Sequence, residues 1–212
     1  MFFFVVSFLL LFFYAGIILF YRHAWLKIKD FTSTPDIQAV NQVFISVIIA
    51  ARNEEKNIRS CLQSIIKQTY PENLFEIIVV DDHSTDTTSV VANSFKNDNI
   101  KIIKLENFTG STILNSYKKA AIEMAIGVSK GSLIVTTDAD CIVEDKWLET
   151  IAAFYSKYDA VFIAAPVVYS SPLPTDSTFL RLLKIFQSLD FLSLQGITAA
   201  SVSTRFHNMC NG

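Results

Sequence analysis

The sequence predicts an α/β fold, a mainly parallel Rossmann-like sheet with helices on both faces, preceded by one transmembrane helix. Three observations carry this expectation. An uncharged, almost wholly apolar run opens the chain. Beyond residue 43, short apolar and β-branched runs alternate with stretches in which apolar residues recur at helical spacing. The short runs lack the polar alternation of a half-solvated strand, so they read as strands covered on both faces. Strands separated by helices of this kind join through right-handed crossovers into a doubly wound sheet.

Phe2 to Tyr21 is a run of 20 residues, long enough as a helix to cross a hydrocarbon core of about 30 Å. No Lys or Arg precedes it and no small-residue cleavage site follows, so it reads as an anchor, residues 1–22, rather than a cleaved signal. Arg22, Lys27 and Lys29 beyond its end place the remainder in the cytoplasm by the positive-inside rule, with Tyr21 and Trp25 as interfacial anchors. The membrane, crossed once, is therefore an expected partner. Residues 23–43 read as a juxtamembrane linker, because Thr32, Ser33, Thr34 and Pro35 break any periodicity. Residues 44–212 then form the folded domain, about 190 residues counted with the linker, enough for one core.

Within that domain Phe44 to Ala51 is the first strand. Asn53 to Thr69 follows as a helix, with Ile58, Cys61, Leu62, Ile65 and Ile66 on one face, Asn53, Glu54 and Glu55 at its start, and Pro71 beyond its end. Glu76 to Val80, Ile100 to Leu105 and Leu133 to Thr137 read as strands; Asp86 to Phe95, Asn115 to Gly127 and Glu144 to Tyr155 read as the intervening helices. Ala160 to Val168 is expected as a further strand, demoted to an edge or bend by Pro166. Asp176 to Gln195 is a helix apolar over much more than one stripe. It lies against a membrane or its partner is missing from this chain, and the missing partner is preferred, since Arg181, Lys184 and Asp190 form no broad basic face.

A formal charge of −2 gives no electrostatic case for nucleic acid, whose binding needs clustered Lys and Arg. Cys61, Cys141 and Cys210 are widely spaced and odd in number, so they read as reduced thiols rather than a disulfide framework or zinc site.

The chemistry gathers where strands end. Ligands of an open parallel sheet bind outside its carboxyl ends, and three acidic loops are expected there: Ala50-Ala51-Arg52-Asn53-Glu54-Glu55, Asp81-Asp82-His83-Ser84-Thr85-Asp86 and Asp138-Ala139-Asp140. Side chains at i and i+2 of an extended chain leave one face, so Asp138 and Asp140 converge, and their hard oxygens suit Mg²⁺ or Mn²⁺ with positions left for phosphates. Convergence of three acidic loops is unfavourable unless a cation or a hydrogen-bonding base occupies the crevice.

The phrases SVIIAARNEEKNI, EIIVVDDHSTDTT and IVTTDADC, in this order, resemble the family 2 glycosyltransferases over about residues 44–212. The resemblance implies the GT-A fold, a nucleotide-diphosphate sugar donor linked to UDP or GDP, and transfer with inversion to an acceptor that is a glycan or lipid not identified here. It implies Ala50, Arg52 and Glu54 at the base and ribose; Asp81 and Asp82 reading the base, Asp82 the stronger; and Asp138 and Asp140 at ribose and metal. Lys118 and Lys119 align with a basic pair near the diphosphate, although Tyr117 stands where glycine is usual and a solvated helix face is the other reading. The carboxylate base is expected beyond Gly212, with Asn211-Gly212 at the entry to the acceptor segment, so no catalytic residue is assigned and the chain is read as truncated. Cell-envelope or polysaccharide synthesis at a bacterial inner membrane is the implied setting.

Several of these residues have simpler readings. Glu54 and Glu55 favour a helix start; Ser84, Thr85 and Asp86 suit a turn and cap; His83 suits a solvated loop; Trp147 suits a core. A phosphatase nucleophile in Asp-X-Asp would follow the first strand, not the fourth. No Gly-X-Gly-X-X-Gly follows any strand, which makes a dinucleotide oxidoreductase a weaker reading still. A non-catalytic, membrane-anchored nucleotide-sugar binding protein remains the alternative.

Overall fold

The computed structural model describes residues 1–31, 43–109, 116–169 and 177–204. Most of the linker, the helix start at Asn115, the start at Asp176, Cys210 and Asn211-Gly212 lie outside the described residues. The chain divides into two compact units, one within Thr32–Ile163, the other within Met1–Phe31 and Ala164–Gly212.

The first unit holds a four-stranded parallel sheet in the order β3-β2-β1-β4, built from β1 (Ile45–Ala51), β2 (Phe75–Asp81), β3 (Ile100–Lys104) and β4 (Leu133–Asp138). The helices between are α2 (Ile58–Ile66), α3 (Thr88–Asn93), α4 (Glu106–Thr109), α5 (Tyr117–Val128) and α6 (Trp147–Tyr158), with a 3₁₀ turn at Glu72–Leu74. The predicted β-branched runs are the strands because the sheet covers both their faces. Val47, Ile48 and Ile49 are all at most 1% exposed, whereas a half-solvated strand alternates. Ile48, Ile78, Val80 and Ile103 pack on Ala121 and Ala125 of α5. The small residues of α5 permit close approach, and Ser116 caps it by accepting the Lys119 N–H. On α2, Ile58, Cys61, Leu62 and Ile65 form the buried stripe; each such aliphatic burial is worth about 1.5–3 kcal/mol. Gln68 ties the end of α2 to the start of α6, its side chain donating to Glu144 O and accepting from Leu148 N.

At the amino end of the sheet Ser46, fully buried, donates to Glu76 and accepts the Gly131 N–H. A Cβ at Gly131 would lie 2.4 Å from Ser46 N, so only glycine lets the chain enter β4 here.

Two expectations are corrected. Residues 160–169 contain no strand. A strand exists only with a neighbouring ladder; here the Val167 N–H and carbonyl are taken by the Gln195 side-chain amide at 2.8 and 2.7 Å, and Pro166 has no N–H to offer. The helices after β1 and β4 start later than expected, at Ile58 and Trp147. Trp147 is half-buried, and its neighbour Leu148 is the core residue.

The second unit pairs α1 (Phe2–Leu26) with α7 (Thr178–Thr204). The α1 helix has a mean hydropathy of 2.7 over its best 18-residue window, none of it buried by protein.

Candidate functional site

Strand order places β1 between β2 and β4, so the chain leaves β1 in one direction and later returns on its other side. A crevice opens at the carboxyl ends at such a switch. The register sets Ala50 of β1 level with Val80 on one side and Asp138 on the other, and Ala51 level with Asp81. A cleft of about 330 Å³ lies there. Seven of the eight residues expected from sequence line it: Ala50, Arg52 and Glu54 after β1, Asp82 after β2, Lys118 on α5, and Asp138 and Asp140 at the end of β4. Asp81 does not. Its carboxylate, buried, accepts the Ser84 N–H at 3.0 Å and so closes the turn that presents Asp82.

The loops after β1 and β2 are bound to each other through side chains. Asn53 accepts the Thr85 N–H at 2.8 Å and its own N–H donates to Ser84 Oγ at 3.0 Å. The Glu54 N–H donates to Thr88 Oγ1 at 2.7 Å and the Glu55 N–H to Asp86. The Glu55 carboxylate in turn accepts the N–H and hydroxyl of Thr87. Asn53 and His83 hold φ of 56° and 54°, a conformation that costs a non-glycine residue about 1–2 kcal/mol. Burial raises the Asp86 pKa, but hydrogen bonds from Thr88 and from the Glu55 N–H outweigh it and hold the carboxyl below its ordinary 3.8. The expected turn and cap roles of Ser84, Thr85 and Asp86 are what these bonds perform.

Asp82 is 6% exposed and faces two cations or potential cations, Arg52 Nη1 at 3.9 Å and His83 Nδ1 at 2.9 Å. His83 is thus not the merely solvated loop residue its sequence context suggested. Its ring meets Tyr117 edge-on with centroids 5.3 Å apart, and the Arg52 guanidinium stands 5.9 Å from the same Tyr117 ring. Tyr117 therefore occupies the space that a glycine would leave open and fastens the start of α5 to the Asp82 loop.

The β4 end is built differently. The strand stops at Asp138 and turns, with the Cys141 N–H donating to Asp138 O at 3.2 Å. Both carboxylates reach the cleft, but through a turn rather than through successive positions of an extended chain, because no neighbouring strand carries the ladder past Asp138. Asp138 is paired with Lys118 Nζ at 2.7 Å, and both side chains are more than half exposed. Beneath the turn the Cys61 thiol donates to Asp138 O at 3.7 Å. Burial, with smaller contributions from Cys141 and the nearby carboxylates, pushes that thiol up to about 12, which leaves it an inert packing group.

Among the described residues no group of three His, Cys, Asp or Glu side chains forms a metal cage. The donor set of Asp138 and Asp140 is two exposed hard-oxygen groups on a cleft rim. That fits a cation of the Mg²⁺ type, which takes one or two carboxylates and completes its shell with water and substrate phosphate.

Four carboxylates and two cationic side chains line the cleft. Sequence reasoning gave Ser84 and Thr85 a turn role and Asn53 a helix start, but not the bonds that join the two loops, and it did not single out Thr87. The available signal was two loops rich in short polar side chains, placed at matching offsets after strands whose ends lie side by side.

Residues 46–206 match the profile of glycosyl transferase family 2. Glycosyltransferase AglE of Haloferax volcanii is 33% identical over 131 residues, 61% of this chain and 41% of that protein. Poly(ribitol-phosphate) beta-N-acetylglucosaminyltransferase TarS of Staphylococcus aureus is 32% identical over 114 residues, 53% of this chain and 19% of that protein. The chain thus spans less than half the length of either relative. The mannosyltransferase PcManGT of Pyrobaculum calidifontis, solved with GDP-Man and Mn²⁺, is 26% identical with a TM-score of 0.54, over 67% of this chain and 40% of that one. Sheet order, switch-point cleft and these matches agree with the GT-A architecture expected from the sequence. The chain belongs to glycosyl transferase family 2.

Proposed function

We propose that this chain is the donor-binding portion of a membrane-anchored glycosyltransferase that moves a sugar from a nucleotide-diphosphate sugar, UDP- or GDP-linked, to a glycan or lipid acceptor at the cytoplasmic face. The observation that carries the reading is the convergence of Asp82, Asp138 and Asp140 with Arg52 and Lys118 in one switch-point cleft. The similarity to PcManGT, solved with GDP-Man and Mn²⁺, supports it. In this reading residues 1–22 are the anchor, 23–43 the linker and 44–212 the GT-A domain.

Asp82, buried and acceptor-only when ionised, takes N–H groups of the base, while Arg52 and His83 hold it in place. Ala50 and Glu54 border the base and ribose, a nucleoside floor stiffened by the bracing between the two loops. Asp138 and Asp140 would hold Mg²⁺ or Mn²⁺, which supplies charge compensation for the departing diphosphate. Lys118, now on Asp138, is placed to exchange that partner for a phosphate oxygen. No catalytic base is assigned, and inversion rests on the family alone.

The test is sugar transfer by the polypeptide in its native membrane, supplied with radiolabelled UDP- and GDP-sugars. Metal-dependent incorporation into membrane glycan or lipid, lost in Asp140→Asn and Asp82→Asn, is the expected result. Tight donor binding with no incorporation by any donor would replace transfer with the non-catalytic nucleotide-sugar binding protein, for which all assigned groups lying on the donor side already speak.

A further inference from the structure

The long helix α7 is too interrupted by Arg181, Lys184 and Asp190 to qualify as a membrane span, since α1 is the one described helix apolar enough. It is also too apolar for water. Phe179, Leu182, Phe186 and Leu189 recur at spacings of three and four, which puts them on one face, and they are 77, 62, 67 and 59% exposed. Arg181, Lys184, Ser188 and Gln195 follow the complementary spacing on the opposite side.

Two contacts decide which side needs cover. On the polar side Gln195 bonds both ways to the Val167 backbone, and Phe191, beside that stripe, packs on Tyr169 with ring centroids 5.1 Å apart. The C-terminal part of α7 meets the end of α1, where the Trp25 ring lies 3.5 Å from the position a Cβ on Gly196 would take. Ala200 and Ser201 of α7 are fully buried and Ala24 of α1 is 4% exposed. Trp25 lies one turn beyond the 20 residues of α1 that fill the hydrocarbon core, at headgroup depth. Gly196 and Ala200 continue the apolar face by the same helical spacing, so α1 covers that face at the C-terminal end of α7, and its Phe179–Leu189 part, left bare, is held at the same lipid boundary. The sequence objection that α7 lacks a broad basic face loses its force, because protein takes up part of the polar side and Arg181 and Lys184 need only reach the headgroups.

We propose that α7 is an interfacial helix whose Phe179–Leu182–Phe186–Leu189 face is embedded in the leaflet reached by the C-terminal end of α1. The inference rests on the reading of α1 as a membrane anchor. Its consequence is that the acceptor-side end of the chain is held on the lipid surface as well as through the N-terminal anchor, which suits an acceptor that is itself membrane-bound.

The full chain, with Cys61→Ala, Cys141→Ser and Cys210→Ser, would be reconstituted in phosphatidylethanolamine–phosphatidylglycerol vesicles and spin-labelled singly at Phe186→Cys, Leu189→Cys, Arg181→Cys or Leu10→Cys. Collision with lipid-soluble oxygen and with a water-soluble nickel chelate is then compared. The expected result is an oxygen-to-nickel ratio several-fold higher at 186 and 189 than at 181, with 10 higher still. Nickel access at 186 and 189 equal to that at 181, with 10 still in lipid, would overturn the proposal. So would spin–spin broadening at 186 from a second copy, or shielding from both reagents by another protein. Nickel access at 10 would instead overturn the anchor reading.

Discussion

The cleft has two halves held by different means. The loops after β1 and β2 share a lattice of side-chain to backbone bonds through Asn53, Ser84, Thr85, Asp86, Glu55 and Thr88, and present a buried Asp82. The turn after β4 rests on the exposed Lys118–Asp138 pair and a long thiol contact. Exposed pairs contribute about 0–1 kcal/mol, whereas several mutually satisfied backbone groups hold a loop in one geometry. On the proposed reading, the first is a nucleoside half shaped in advance and the second a diphosphate half that metal and substrate would complete.

The largest expected effect breaks the second half only. Asp140→Asn should lower UDP or GDP affinity in Mn²⁺ by about 100-fold, following the cost of disturbing metal coordination, and leave stability within about 0.5 kcal/mol because the side chain is exposed. Calorimetric titration and thermal melting read the two quantities. Equal losses with and without metal would show that the halves are not separable.

Next in size, Asn53→Ala should act on the first half. It removes the bonds Thr85 donates and leaves a residue at φ 56° with no side-chain compensation. A loss of about 2 kcal/mol in urea unfolding is expected, with nucleotide affinity falling by a similar factor in Mn²⁺ and in EDTA. Lys118→Ala should be smaller. Releasing Asp138 should tighten Mn²⁺ alone by a few-fold, read by the manganese paramagnetic signal, while weakening the diphosphate complex.

The smallest effect is in pH. The Asp86 pKa is lowered in the folded chain, so its ionised form stabilises the native state. That stabilisation is complete above the unfolded value near 3.8 and is lost as pH falls through the lower folded value. Urea midpoints should therefore drop as pH falls below about 3.8, and Asp86→Asn should flatten that part of the profile.

The strands and the positions of the three loops were legible because β-branched apolar runs have few other uses, and because carboxylates stand in the loops that follow β1, β2 and β4. Helix starts were less legible. Asn53 to Asn57 look like a first turn, yet Asn53 stands at φ 56°, outside the helical region, where its side chain accepts from Thr85, and turns carry the chain to the helix at Ile58. The carbonyls of Glu144 and Asp145 are likewise taken by Gln68 and Thr69, and α6 begins at Trp147. Such partners lie tens of residues away and leave no local pattern. Ala160 to Val168 failed for the converse reason: the composition of a strand was present and a ladder was not. In the site, residue types identified Asp82, Asp138 and Asp140, while the roles of His83 and Tyr117 depended on a loop meeting the start of α5 across the sheet edge.

The measurement that bears most directly on the account is calorimetric titration of the folded protein with UDP and with GDP, in Mn²⁺ and in EDTA. The account predicts saturable binding of at least one nucleotide that weakens strongly when the metal is removed. Absence of binding to either nucleotide under both conditions, by a protein that still melts cooperatively, would contradict it.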